Sequence, residues 1–100
     1  KKDIKIIKVP GTFEIPVVIS KNLKRFDGVI ALGCVIKGQT PHFDFICNAT
    51  FISLSNLSTK AKKPIGNGII TALNKSQAKK RSNLKGQEAA NAVLEVIKNG

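Results

Sequence analysis

The single histidine of the chain, His42, stands in a segment that could hold an anion and move protons. Lys37–Asp44 reads Lys-Gly-Gln-Thr-Pro-His-Phe-Asp. An imidazole titrates close to neutral pH and can both donate and accept protons there. Gly38 ends the preceding apolar run, Thr40 is a good helix N-cap, and Pro41 suits the first helical position. We therefore predict an anion-binding loop between a strand and a helix, with His42 one turn into that helix.

A purely structural role for this segment is the alternative, because a lone histidine more often makes a structural hydrogen bond than it catalyses a reaction. Open α/β sheets bind ligands at the carboxyl ends of their strands, which favours the acid–base role for His42. The two cysteines, Cys34 and Cys47, have neither CxxC spacing nor nearby ligand partners. The sequence thus predicts no metal site, and both cysteines are interpreted as small buried residues.

Strands alternate with helices along the chain, which predicts parallel strands joined by crossover helices. The apolar, β-branched run Val29–Ile36 is typical of a strand buried on both faces. We therefore predict one α/β domain over residues 1–100, with a parallel sheet covered by helices. The predicted strands are Ile4–Val9, Val29–Ile36 and Ile65–Ala72, and the predicted helices are Phe13–Phe26, Pro41–Lys62, Lys75–Arg81 and Gly86–Lys98.

The chain is strongly basic, with a net charge of +11 over 100 residues. Nucleic-acid binding is one explanation, but no aromatic residue lies among the lysines to stack on bases, so a solvated basic surface is the favoured interpretation. No apolar run is long enough to span a membrane, and the chain is expected to be cytoplasmic. The basic residues cluster at Lys21, Lys24 and Arg25, at Lys60, Lys62 and Lys63, and along Lys75–Lys85.

Three stretches, in this order and spacing, make the chain resemble lumazine synthase: Val9–Pro16 (Val-Pro-Gly-Thr-Phe-Glu-Ile-Pro), Ile30–Asn48 and Lys85–Ala90 (Lys-Gly-Gln-Glu-Ala-Ala). The resemblance implies a flavodoxin-like α/β/α sandwich and a homo-oligomer, a pentamer or a larger capsid, with active sites between neighbouring subunits. It also implies small-molecule substrates and neither a metal nor an organic cofactor. Neither nucleic acid nor a membrane is an expected partner.

The resemblance also implies a transferase reaction in riboflavin synthesis, the condensation of 5-amino-6-(D-ribitylamino)uracil with 3,4-dihydroxy-2-butanone 4-phosphate. By this resemblance His42 is the acid–base residue. Glu14 also fits a first-turn helix acid, and Arg81 also fits plain surface charge, so these alternatives stay open. The residues implied to bind the pyrimidine and ribityl chain are Thr12, Phe13, Glu14, Cys34, Val35, Ile36 and Asn67, and those implied to bind phosphate are Gln39, Thr40 and Arg81.

The chain departs from the family pattern in ways that bear on its activity. Asn67 stands where the family usually has an aromatic residue that packs over the substrate ring, which keeps open a catalytically weak assembly protein of the same fold. The family's amino-terminal strand and helix have no counterpart, and the chain contains no Met. We therefore expect residues 1–100 to be part of a longer protein. On that basis Ile4–Val9 should stand unpaired or close directly onto Val29–Ile36.

Overall fold

The computed structural model describes residues 4–38 and 41–99. Short 3-10 turns at Thr12–Glu14 and Leu23–Arg25 flank the first helix. The regular elements are, in chain order, helix α1 (Ile15–Asn22), strand β1 (Val29–Ile36), helix α2 (His42–Ala61), strand β2 (Ile65–Ala72) and helix α3 (Lys75–Asn99).

Strands β1 and β2 pair in parallel, and these two of the three predicted strands are confirmed with the bounds predicted for them. The register runs from Val29 opposite Ile65 to Ile36 opposite Ala72 without interruption. A parallel pair needs a long crossover between its strands, and α2 provides it. The carboxyl ends of the two strands consequently lie side by side at one edge of the sheet.

Helices cover both faces of this sheet, which confirms the predicted α/β fold. A Cβ atom on Gly66 would lie 2.6 Å from the carbonyl oxygen of Ala89, so α3 packs directly on one face of β2. On the other face, a Cβ atom on Gly33 would lie 3.6 Å from Ile15 of α1. The buried core on that second face joins α1, α2 and both strands, and its residues are Ile15, Ile19, Leu23, Ala31, Leu54 and Ile69.

The prediction that β1 is buried on both faces is wrong. Leu32 is 64% exposed, and Ile30 and Ile36 are also exposed, whereas the alternate residue Ala31 is buried. Helix α3 lies mainly over β2 and reaches β1 only in part. One face of β1 therefore packs on the core while the other stays largely open.

The predicted first strand, Ile4–Val9, is not formed. These residues have no regular secondary structure, and the sheet of the described residues contains only β1 and β2. Ile4 and Ile6 are each 82% exposed, and only Val9 packs against the core. A strand needs a neighbour to take its backbone hydrogen bonds, and no strand pairs with this segment. It stands unpaired, which is one of the two arrangements expected for it.

The two helices predicted at Lys75–Arg81 and Gly86–Lys98 are instead a single helix, α3, of 25 residues. Asn74 caps its amino end, since the backbone N–H of Gln77 donates to Asn74 Oδ1 at 2.9 Å. Gly86 weakens a helix but does not end one without a tertiary reason, and the packing of Ala89 and Val93 stabilises the helix beyond it. Neither α3 nor any other helix in the described part of the chain is long and apolar enough to cross a membrane.

The other helices agree with prediction except at their ends. The segment predicted as Phe13–Phe26 is α1 with its two flanking 3-10 turns. Pro41 is the N-cap of α2 and not its first residue, so the helix begins at His42. It ends at Ala61 because Lys62 adopts the left-handed conformation, with φ of 59°. Thr40, the predicted cap, lies outside the described residues.

The contact between Gly66 and α3 generates a stability prediction. Gly66→Ala should lower the free energy of unfolding by about 1–3 kcal/mol, because the new methyl group meets a helix backbone that cannot rotate away. Gly86→Ala is the matched control: nothing lies within 4 Å of a Cβ atom there, so it should raise stability by about 0.5–1 kcal/mol. Urea unfolding of both variants measures this, and effects of the same sign would contradict the packing described.

Candidate active site

The loop after β1 leaves the sheet at the carboxyl edge, where the sequence predicts an anion site. The backbone N–H of Lys37 donates to the carbonyl of Ala72 at 2.8 Å, which extends the ladder by one bond beyond Ile36. The Lys37 ammonium lies 6.0 Å from the centre of the Phe43 ring, so this cation is kept beside the start of α2. Gln39 and Thr40, the predicted phosphate ligands, lie outside the described residues.

His42 is the first residue of α2 and its side chain is exposed to solvent. The sequence predicts that His42 lies one turn into the helix. The helix begins later than predicted, so His42 lies at its amino end. The amino end of this 20-residue helix carries the positive pole of the helix dipole. An imidazole at this position can exchange protons with a ligand held at the carboxyl edge of the sheet.

The turn Thr12–Glu14 approaches β1 closely because Gly33 has no side chain. A Cβ atom on Gly33 would lie 3.4 Å from Thr12 Oγ1. Glu14 is partly buried and Phe13 is 58% exposed. The structure thus brings the predicted ribityl-binding turn against the second half of β1. Sequence reasoning did not single out Gly33, although a glycine within a strand is a signal of close backbone approach.

Cys34, Val35 and Ile36 are the last three residues of β1, but their side chains do not all lie on the same face of the sheet. Val35 packs against the core on the side of α1, whereas Cys34 and Ile36 are exposed on the opposite side. The interpretation of Cys34 as a buried residue is therefore wrong, because α3 does not extend over this end of β1. Any role of all three in one site must use their backbone groups.

Side chains cap the outer edge of β2, the edge that faces away from β1. The Ala72 carbonyl faces β1, so the Thr71 carbonyl, one residue earlier, faces outward. Arg81 donates from Nη1 to that carbonyl at 2.6 Å. The N–H of Ile69 also lies on the outer edge, and it donates to Oδ1 of Asn67 at 3.0 Å. These bonds satisfy backbone groups that an edge strand would otherwise present to another chain.

A cavity of about 170 Å³ opens at this capped edge. Asn67 and Arg81, predicted separately from the sequence, are brought together there. Lys85 joins them, one helical turn beyond Arg81, and was not predicted as a site residue. The continuity of α3 is the signal that was missed, since a helix places residues four apart on one face. The cavity is lined by Phe51, Asn67, Ile69, Ile70, Thr71, Arg81 and Lys85.

The structure therefore divides the predicted site residues that it describes into two groups. The first, which we call the β1 half-site, comprises Thr12–Glu14, Cys34–Ile36 and His42 around the carboxyl end of β1. The second, the β2 half-site, comprises Asn67 and Arg81 in the cavity on the outer edge of β2. No residue of the β1 half-site lines that cavity.

A larger cavity, of about 320 Å³, lies at the other end of β2. Size alone would favour it as a ligand site. It contains none of the predicted site residues, however, and it opens beside Lys62, Lys63 and Ile65, near the amino ends of the strands. Because α/β sheets bind ligands at the carboxyl ends of their strands, the smaller cavity and the adjoining edge are the candidate site.

The two cysteines differ in environment. Cys47 is buried on the inner face of α2, and both are free thiols. Burial, with a smaller contribution from the negative charge of Asp44 one turn earlier, raises the pKa of the Cys47 thiol. Its thiolate fraction at neutral pH is consequently small, and it fits a packing role.

A helix that begins beside the carboxyl ends of parallel strands, next to a cavity lined by Arg81 and Lys85, is typical of α/β proteins that bind ligands at one edge of the sheet. A family model described as 6,7-dimethyl-8-ribityllumazine synthase matches residues 1–99. The chain belongs to the 6,7-dimethyl-8-ribityllumazine synthase family. The resemblance found in the sequence is thereby confirmed.

Curated relatives carry the same description. A protein of Buchnera aphidicola subsp. Schizaphis graminum is 47% identical over 97% of this chain and 65% of its own length. Those of Nitratidesulfovibrio vulgaris (strain Miyazaki F) and Cutibacterium acnes are 41% and 40% identical, over 98% and 95% of this chain and 67% and 61% of their own lengths. The chain thus spans about two thirds of the length of these relatives.

The contrast between the two thiols can be tested by alkylation with iodoacetamide at pH 8. We expect Cys34 to be modified first, because it is exposed, and Cys47 to be modified much more slowly in the folded protein, because its pKa is raised. Asp44→Asn should speed Cys47 modification slightly by lowering that pKa, whereas Asp27→Asn should not. Mass spectrometry of each peptide gives the rates. Equal rates for the two cysteines would contradict the burial of Cys47.

Proposed function

We propose that this chain forms part of a 6,7-dimethyl-8-ribityllumazine synthase, a transferase of riboflavin synthesis. Its substrates would be 5-amino-6-(D-ribitylamino)uracil and 3,4-dihydroxy-2-butanone 4-phosphate. The observation that carries the proposal is the family match over residues 1–99 together with the position of His42 at the carboxyl edge of the sheet. The proposal involves no metal or organic cofactor. We place the activity in the cytoplasm, where Cys34 and Cys47 would stay reduced.

The chemistry proposed for this site depends mainly on holding two reactive molecules together. The pyrimidine amine condenses with the ketone, phosphate leaves, and the second amine closes the ring. Effective molarities for well-oriented reactants reach about 10⁵ M or more, so positioning can lower much of the barrier. The proton transfers still need a group that can both donate and accept a proton. His42, at the positive end of α2, is the residue to which we assign that role.

The proposed subsites follow the two half-sites. Thr12, Phe13 and Glu14 would hold the ribityl chain, with Thr12 already against β1. The backbone of Cys34–Ile36 would line the pyrimidine. Gln39 and Thr40, which follow β1 in the sequence, would bind the phosphate.

The remaining part of the site would come from a neighbouring copy of the chain. Asn67 and Arg81 lie on the outer edge of β2, in a cavity without His42 or the Thr12–Glu14 turn. Their separation from the β1 half-site supports a site built between subunits. The exposed apolar residues Leu32 and Ile36 would suit a subunit contact. We accordingly propose a homo-oligomer, a pentamer or a larger capsid, with Asn67 facing a neighbour's pyrimidine and Arg81 a neighbour's phosphate.

A catalytically weak assembly protein is the second candidate, and Asn67 is the observation that favours it. An amide gives less stacking energy than an aromatic ring, by about 0.5–1.5 kcal/mol. A steady-state assay of lumazine formation distinguishes the two candidates. Turnover supports the enzyme, and assembly without turnover supports the second candidate.

His42→Ala should lower kcat about 100-fold, the low end of what acid–base catalysis provides, because proximity supplies the rest. Since the His42 side chain is exposed, the thermal unfolding midpoint should stay nearly unchanged. Asn48→Ala, an exposed change on the same helix, is the control and should retain full turnover. Unchanged turnover in His42→Ala with both substrates bound would contradict the acid–base assignment.

Arg81→Ala should weaken binding of the phosphate substrate by about 1.5–3 kcal/mol, the range for a lost charge-assisted hydrogen bond, and the pyrimidine less. Lys80→Ala removes a neighbouring exposed cation and serves as the control. Arg81→Lys keeps the charge but loses the planar fork, so it should fall between the two. Calorimetric titration of each substrate tests this. An equal loss for both substrates would mean that Arg81 acts only through general charge or through its bond to β2.

A further inference from the structure

The larger cavity, at the amino end of β2, has no role in the proposed function. Its volume of about 320 Å³ falls within the range of small-molecule sites, about 300–1,000 Å³. Its lining comes from the end of α2, the start of β2 and the second half of α3, and includes no residue of either half-site. We call it the amino-end cavity, the one lined by Lys62, Ile65 and Val96.

Much of the lining of the amino-end cavity is apolar and comes from α3. Ala92 and Val96 lie one helical turn apart, and both are exposed, Val96 to 52%. Pro64 and Ile65 continue this apolar surface. Apolar side chains in a concave surface provide the contacts that hold the hydrocarbon part of a ligand.

The charged groups of the cavity are all cations. Lys62 and Lys63 line it, and no acidic residue among the described ones does. The Lys63 ammonium donates to the carbonyl of Leu23 at 2.9 Å, which holds it in place and leaves further N–H donors on the same group. Ser58 Oγ donates its own proton to the carbonyl of Lys63 at 2.6 Å. The cavity therefore combines apolar surface with positive charge.

The backbone adds a donor at the outer edge of β2. The carbonyl of Pro64 accepts from the N–H of Val29 at 3.1 Å, so it points towards β1. Across the trans peptide bond, the N–H of Ile65 points the opposite way, at the edge where Ile65 lines the cavity. Asn67 and Arg81 cap the later part of this edge. Within residues 4–38 and 41–99, no side chain caps the N–H of Ile65.

Lys62 holds its position in an unfavourable backbone conformation. Within the described residues it is the non-glycine residue with a positive φ, of 59°. Glycine is preferred where a helix ends in this way, because it has no Cβ atom. A cation at the end of α2 complements the helix dipole, but Lys60 already provides one in the last turn. The lysine at position 62 therefore indicates a use for its side chain.

We propose that the amino-end cavity binds a small organic anion, with one acidic group on an aromatic ring or a short hydrocarbon chain. The acidic group lies beside the Lys62 ammonium and the N–H of Ile65, and the apolar body packs against Ala92 and Val96. This inference does not depend on the proposed function. The alternative is that Lys62 only ends α2 and that the apolar residues are ordinary surface.

The test uses two fluorescent probes that share one apolar body. 8-Anilinonaphthalene-1-sulfonate carries an acidic group, and N-phenyl-1-naphthylamine is the same molecule without it. Lys62→Gly removes the cation and suits the left-handed conformation, and Lys62→Met removes the charge but keeps the length of the side chain. Lys60→Ala removes a cation that does not line the cavity. Ala92→Leu fills the cavity, and Asn91→Leu adds the same side chain at an exposed position outside it.

Lys62→Gly and Lys62→Met should each weaken binding of the sulfonate probe about 10-fold, the low end for a hydrogen bond to a charged group, and leave the neutral probe unchanged. Ala92→Leu should weaken both probes, because it occupies the space of the shared body. Lys60→Ala and Asn91→Leu should bind both probes as the wild type does. The thermal unfolding midpoint of Lys62→Gly should not fall below that of the wild type, since glycine favours the conformation found there.

Three results would overturn the inference. The first is a wild-type protein that binds neither probe. The second is an equal effect of Lys60→Ala and the two Lys62 variants on the sulfonate probe, which would leave Lys62 as general surface charge. The third is unchanged binding in Ala92→Leu, because the probes would then occupy another apolar surface, such as the exposed face of β1. An assay of lumazine formation is independent of all three.

Discussion

The parallel pairing of β1 with β2 is the constraint on which the rest of the structure depends. Eight residues of each strand run in uninterrupted register, from Val29 opposite Ile65 to Ile36 opposite Ala72. Parallel strands cannot be joined by a tight turn, so a crossover element is required, and α2 fills that place. The same geometry brings the carboxyl ends of both strands to one edge of the sheet. Helix α2 begins at that edge, which places His42 at the positive end of the helix dipole. The position of the acid–base candidate is thus a consequence of the strand direction.

The helices cover the two strands of the sheet unequally, and this separates the candidate site residues into two groups. On β2, glycine at position 66 lets the backbone of α3 approach, and α3 then presents Arg81 and Lys85 to the outer edge of the strand. There the Arg81 side chain and Asn67 satisfy backbone groups that would otherwise attract another strand. On β1, one face stays exposed around Leu32. The capped edge with its cavity therefore belongs to β2, and the open, apolar face belongs to β1.

The local sequence was sufficient to predict the elements whose ends are set by neighbouring residues. Val29–Ile36 is an apolar run between Gly28 and Lys37, and Ile65–Ala72 is a strand-like segment that begins after Pro64. The structure reproduces both strands. The sequence did not predict the features that depend on contacts between residues far apart in the chain. The basic segment and the last helix form one helix because packing of Ala89 and Val93 on the sheet outweighs the weak helix propensity at Gly86. The burial of β1 depends on how far α3 extends across the sheet. The periodicity of apolar residues in the sequence gives no information about that extent.

In the candidate site, too, one part could be predicted from neighbouring residues and another part depends on contacts between distant residues. His42 could be placed near the start of α2, though not at its first residue, from its own neighbours, Pro41 and the preceding apolar run. The cavity could not be predicted from the sequence, because Asn67 and Arg81 are brought together by the packing of α3 on the edge of β2. The capping bond between Asn67 and Ile69 was equally hidden, since it depends on which edge of β2 is paired.

In the proposed function, one active site is built from the β1 half-site of one copy and the β2 half-site of another. Co-assembly of His42→Ala subunits with Arg81→Ala subunits tests it most directly, with lumazine formation as the measurement. Each variant alone should be weak, but random mixing pairs two intact half-sites in about a quarter of the contacts. Activity should therefore rise well above that of either parent, towards about a quarter of the wild-type value at substrate levels that saturate the intact sites. Activity that equals only the average of the two parents would contradict a site shared between subunits.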